Sequence, residues 1–162
     1  MSTTATVLYD ISRESPPAGE FRSGAAGILI GLLLLALVWK RPERGPKVFL
    51  LLFILAFGGF AVSKGLATRR AHLKAAERLA GGKVEVAEGI VTGFVPGSAD
   101  GRTDETFMLG GRAFRIRVDS GEPGLNRTSA AGGPISKDAS LRISYSGEKI
   151  LKVEDLAGTP AR

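Results

Sequence analysis

Two stretches decide the reading: GAAGILIGLLLLALVW (24–39) and, after the link KRPERGPK (40–47), VFLLLFILAFGGFAV (48–62). The first runs sixteen residues without a charge, nine of them Leu, Ile or Val, and the second holds eleven strongly apolar side chains. Helices apolar on every side need a large core or a bilayer around them, and the rest of this chain is too short to wrap both. At ~1.5 Å per residue the first rises ~24 Å, short of a ~30 Å hydrocarbon layer. Phe21 at one end and Trp39, Lys40 and Arg41 at the other supply interfacial turns. The second reaches Leu66 and Ala67 if Lys64 snorkels. Pro42, Gly45 and Pro46 in the link stop one helix and restart the next, so the two are expected to be antiparallel neighbours. The expected fold is thus a two-helix transmembrane hairpin (24–39 and 48–67) behind an N-terminal tail (1–23), with the lipid bilayer as first partner. Lys-Arg-Pro after Trp39 is no small-x-small cleavage site, so the N-terminus is expected to be retained.

Small residues mark where these helices could meet. Gly27 and Gly31 are spaced as a small-xxx-small pair, and Gly58 and Gly59 thin one face of the second helix. The expectation is packing within the hairpin, or a homodimer through Gly27 and Gly31. Beyond Ala67, TRRAHLKAAERLAGG (68–82) reads as a basic surface helix ended by Gly81 and Gly82, with His72 as a solvated side chain on it.

Charge follows the apolar runs. The net +6 resolves into −1 over 1–23, +3 over 40–47, +5 over 64–83 and −1 over 84–162. Cations beside apolar helices suit anionic headgroups, whereas a nucleic-acid footprint would put a basic stripe on the folded domain. No nucleic-acid partner is expected. Four Lys/Arg in the short link favour a cytoplasmic link and an extracytoplasmic C-terminal domain. With no cysteine there are no disulfides or thiolate sites, and a single histidine leaves little for a zinc centre or a Ser-His-Asp triad.

From Lys83 the pattern changes to short alternating runs between glycines, expected to form a small all-β domain (83–158) before a tail (159–162). Five strands are predicted. KVEVAEGIVTGFV (83–95) is long and bends at Gly89 and Gly93; ETFML (105–109) and RAFRIRV (112–118) flank a primed turn at Gly110-Gly111; SLRISY (140–145) and KILKVED (149–155) follow a Gly/Pro-rich stretch. Phe114, Ile116 and Val118 share one face of their strand and Arg115 and Arg117 the other. Such strands suit a five-stranded OB-like barrel, or a plain meander.

The runs EGIVTGFVPGSADGRTDETFMLGGRAFRI, GLNRTSAAGGPI and LRISYSGEKILKVE carry a resemblance over roughly residues 84–155. Their E-G-x-V strand, Phe-x-Pro step, acidic pair, Gly-then-Phe hairpin and Gly-Gly-Pro-Ile segment resemble a family of bacterial membrane-associated proteins with no assigned activity. That resemblance implies a bacterial membrane protein, and with the two apolar runs the expected location is the bacterial cytoplasmic (inner) membrane, in multi-pass form.

Candidate chemistry is sparse. Asp104 and Glu105, adjacent acids after a Gly/Ser/Asp loop, could hold a cation with Asp100 or accept loop amides; EF-hand spacing is absent, and no metal or cofactor is expected. Neither Gly132-Gly133-Pro134 nor Gly121–Gly124 sits between a strand and a helix as a P-loop must. No nucleophile comes with an elbow or a base, so an enzyme is not expected. The functional expectation is a membrane-anchored, non-catalytic binding module whose face near Asp104, Glu105, Phe107 and Asn126 engages a protein or envelope component. The alternative is a structural or accessory subunit of a membrane complex, held chiefly by its helices.

Overall fold

A computed structural model of the chain describes residues 5–15, 19–39, 45–118 and 122–157, with α1 side chains from Ala25 onward. The chain divides into two compact units, residues 16–70 and residues 1–15 with 71–162.

The first unit holds α1 (Gly19–Trp39) and most of α2 (Gly45–Ala80). At 36 residues α2 is long and apolar enough to cross a membrane, and only 11% of its most apolar window is buried. The apolar helix Ala25–Trp39 falls short of the eighteen residues such a span needs. It rises only ~22 Å, below the ~30 Å hydrocarbon thickness. The expected transmembrane hairpin is therefore not the architecture seen: one helix meets the requirement, and residues 40–44 of the link lie outside those described. Three of the four singled-out glycines do sit against the other helix. A Cβ on Gly27 would run into the Phe57 ring, one on Gly31 would lie 2.6 Å from Ile54 Cγ1, and one on Gly58 3.2 Å from Ile28 Cδ1. Gly59 meets nothing within 4 Å.

The second unit is β-rich. The surface helix expected at 68–82 is the last part of α2, which ends in a Schellman cap. Lys83 N–H donates to the Arg78 carbonyl (2.9 Å) and Gly82 N–H to that of Leu79 (3.2 Å), with Gly82 at φ +65°. His72 is not solvated; it is buried beside Ala75 on the face that enters the domain core, joined by Ala76 and Leu79.

Among the described residues seven strands form two antiparallel sheets: β1 (Thr6–Asp10), β2 (Glu85–Ile90), β3 (Thr92–Val95), β4 (Glu105–Leu109), β5 (Arg112–Ile116), β6 (Ser140–Ser146) and β7 (Lys149–Asp155). The four-stranded sheet has the order β1-β7-β6-β2 and the three-stranded sheet β3-β4-β5. The two hairpins fall where the sequence predicts them, with Gly110 and Gly111 both at positive φ as a primed turn requires.

The five-stranded barrel or meander is overturned on two counts. Residues 83–95 are two strands in different sheets, parted at the fully buried Val91, which exchanges backbone hydrogen bonds with Ala139 and Asp138 (2.9 and 3.2 Å). Residues 6–10, expected as tail, form an edge strand with Thr6 opposite Asp155. The sheets do not close, since no ladder joins β5 to the larger sheet among the described residues. Between them packs the core: Phe107, Leu109, Phe114 and Ile116 from the small sheet, Leu141, Ile143, Leu151 and Val153 from the large one, and Ile11, Leu125 and Ile135 from connecting segments.

Candidate binding site at the open sheet edge

Strand β5 is the outer strand of the small sheet, and its ladder fixes what it presents. A two-residue turn makes Leu109↔Arg112 a hydrogen-bonded pair, so by alternation Phe107↔Phe114 and Glu105↔Ile116 are hydrogen-bonded too. The amides and carbonyls of Ala113 and Arg115 therefore point off the sheet. The same alternation buries Phe114 and Ile116 and exposes Ala113, Arg115 and Arg117.

Across the gap from β5 lies the β6–β7 turn, and one side chain bridges it. Arg112 Nη2 donates to the Gly147 carbonyl (2.8 Å), while Nη1 reaches the Tyr145 hydroxyl (3.3 Å) and Glu85 Oε2 (3.4 Å). Its guanidinium lies over the Tyr145 ring at 4.3 Å from the centroid, and the Tyr145 hydroxyl donates to Glu85 (3.1 Å). Behind it Phe114 stacks on Phe107 (5.4 Å between centroids) and meets the edge of Tyr145 (5.2 Å). Arg112 thus spans from β5 to the β6–β7 turn. Two shallow clefts border it: one of about 470 Å³ lined by Met108, Arg112, Ala113, Arg115 and Glu148, and one of about 300 Å³ lined by Arg115, Arg117, Glu122, Asn126, Glu148 and Lys149.

The residues singled out in the sequence do not gather at one place. Asp104 lies beside the second cleft's arginines: Arg117 donates to it twice (3.4 and 3.3 Å) and Arg115 approaches to 3.8 Å. The hydrogen bond that Arg117 donates to Asp104, then the Asp104 charge, raises the Arg117 pKa further. Asn126, half-buried, donates Nδ2–H to the Glu122 carbonyl (2.9 Å) within that cleft's wall. Glu105 and Phe107 are interior: exposures of 0% and 2% remove both from any surface a partner could touch. Glu105 Oε2 accepts from the Ser129 amide (2.7 Å) and hydroxyl, capping the 3-10 turn Ser129–Ala131. Its Oε1 is buried without a hydrogen-bond partner among the described residues. Asp100 is occupied locally: the Ser98 hydroxyl, then the Arg102 amide, hold its carboxyl below the usual range. Among the described residues no three His, Asp or Glu side chains converge as a metal site would need. Gly132 caps the 3-10 turn at φ +80°, and Gly133 packs against the Thr128 backbone, so this stretch is a turn.

The Arg112–Tyr145–Glu85 group had only a faint sequence signal, an arginine directly after the turn and a tyrosine on the apolar face of a strand. Glu85 opposes Tyr145 on β2, a pairing made by strand order that no local spacing encodes. Chemically the edge offers outward amides flanked by guanidinium and ammonium donors. No protein-family model matches this chain, and neither does a curated protein or a solved structure.

Proposed function

We propose that this chain is a membrane-attached, non-catalytic binding module that captures an extended acidic segment of a partner protein along strand β5. The apolar window of α2 provides the attachment. The C-terminal residues of the same helix pack in the β-rich core.

The observation that carries the reading is the outer edge of β5, which no strand pairs among the described residues. Its outward amides accept a further strand through main-chain hydrogen bonds, and alternate side chains of that strand then lie over Arg115 and Arg117. Arg115 and Arg117, on the exposed face of this edge, share the Asp104 carboxylate between them, which favours further carboxylates in the guest. Proline is tolerated on an edge strand where its missing N–H faces outward. Ala113→Pro should therefore leave the β4–β5 ladder intact and block strand addition. With a photoreactive residue at Met108, on the cleft floor, the native chain should capture a protein in membranes and A113P should not. Undiminished capture by A113P would refute binding through this edge. Release of the full chain into the supernatant by alkaline carbonate would refute the membrane attachment.

A further inference from the structure

We infer that the β-rich unit carries a second site, adjoining the first at Lys149: a cationic groove for a phosphate group, built by the last turns of α2 and the β6–β7 turn. Lys74 and Arg78 lie one helical turn apart and both face a groove of about 250 Å³. Lys149 and Ser146 line it from the β-hairpin, and Ala71 and Ala75, small at the intervening helix positions, leave it open. The groove collects three cations and a hydroxyl with no acidic side chain in its lining. Arg78 Nη1 lies 3.4 Å from Ser146 Oγ, so the guanidinium is already drawn toward the hydroxyl. Lys149 is shared with Glu122, 3.6 Å away on the neighbouring cleft, while Lys74 makes no ion pair among the described residues.

Cations near a helix C-terminus often serve the helix itself by meeting its last carbonyls. Here that need is met: the amides of Gly81, Gly82 and Lys83 occupy the carbonyls of Glu77, Leu79 and Arg78. Lys74 and Arg78 are thus available to a ligand. Lys74 and Arg78, with no ion pair among the described residues, and Lys149, shared with Glu122, present like charges to one small space that an added anion would balance. A tetrahedral phosphate oxyanion, monoester or diester, matches a guanidinium fork, two ammonium groups and a hydroxyl, all of which donate. A carboxylate ligand would use fewer of these donors. The phosphate could belong to a soluble molecule or to a lipid headgroup, and both present the same oxygens.

The full chain, purified in a zwitterionic detergent, is titrated calorimetrically with inorganic phosphate. In parallel it is reconstituted in nanodiscs of phosphatidylcholine with or without phosphatidylglycerol, and retained lipid is read by native mass spectrometry. Saturable binding of inorganic phosphate supports the groove with a soluble ligand, and selective retention of phosphatidylglycerol supports it with a headgroup. In either case Lys74→Gln, Arg78→Gln and Lys149→Gln should each weaken binding on the order of tenfold, while Arg102→Gln, an equal charge loss on the 87%-exposed side chain of the Asp100 loop, should not. Ser146→Asp places a carboxylate in the groove and should abolish binding with the β circular dichroism signal unchanged. The inference is overturned if the native chain binds neither probe, or if the groove variants bind as the native chain does. Because Lys74 and Arg78 lie away from the β5 edge, loss of phosphate binding with protein capture intact separates this site from the proposed partner site.

Discussion

Replacing Phe107 by alanine tests whether the small sheet faces inward as described. The ring is 2% exposed and stacks on Phe114 at 5.4 Å. An aromatic side chain of this kind buries ~150–250 Å², which at ~25 cal/mol per Å² corresponds to ~4–6 kcal/mol. The retained methyl and partial collapse of the cavity reduce this to about 4 kcal/mol, within the ~3–5 kcal/mol range of Phe→Ala changes in cores. Against a typical total of ~5–15 kcal/mol, such a loss should move the unfolding midpoint far down the urea axis. Met108, the next residue, points the other way and is 38% exposed, so M108A should cost below ~1 kcal/mol. Pulse proteolysis of the full chain in detergent across a urea series reads both, because cleavage within the β-rich unit reports its unfolded fraction. A near-native F107A together with a damaged M108A would mean that the faces of β4 are exchanged, and Phe107 would return as a surface contact.

Three further outcomes follow from the geometry. Glu105→Ala leaves the Ser129 amide and hydroxyl without their buried acceptor and should cost ~1–3 kcal/mol by urea midpoint, more than Ser129→Ala, which deletes one bond of the two. Burial, then Glu14, raises the Tyr9 phenol above its ordinary 10.0. The unfolded chain therefore gives up this proton first, and stability intact below pH 10.0 should fall as pH rises past it, by up to ~1.4 kcal/mol per pH unit, a slope absent in Tyr9→Phe. Gly133→Ala would drive a Cβ to within 2.8 Å of the Thr128 backbone and should cost ~1–3 kcal/mol in thermal or urea unfolding, whereas Gly111→Ala, with nothing within 4 Å, pays only its positive φ.

What the sequence disclosed depended on how far apart the partners lie. The β4–β5 hairpin was legible because Gly110-Gly111 and the flanking alternation sit within a dozen residues. The N-terminal strand was not: TVLYD is short and lies apart from the other strand-like runs, and its strand partner among the described residues is β7, far along the chain. Residues 83–95 read as one bent strand because alternation continues through Gly89, while the change of sheet at Val91 is set by hydrogen bonds to Ala139 and Asp138. Asp104 and Glu105 attracted attention as neighbouring acids, yet period two sends one outward to Arg117 and the other inward to Ser129. The OB-like barrel, offered beside a meander, rested on five strands, a long bent first one and a long connection before the fourth, whereas closure is a property of non-local pairing that these features do not carry. The span requirement was decided by plain length, which α2 meets and Ala25–Trp39 does not.

The ladder between β1 and β7 also constrains membrane geography. Two strands that share hydrogen bonds must share a compartment, so residues 5–15 and 71–157 are bathed by the same aqueous phase. Whatever path residues 16–70 take through a bilayer, they come back to the side they left: the number of crossings is even, zero included, and α2 by itself cannot carry the chain across. A cysteine at Arg13 and one at Lys137, both exposed positions in this cysteine-free chain, must therefore react alike with a membrane-impermeant maleimide, before lysis or only after it. The ladder sets an order in time as well. β1 precedes both apolar helices in the chain and β7 is the last of the described strands, so the β1–β7 ladder can form only once β7 has been made.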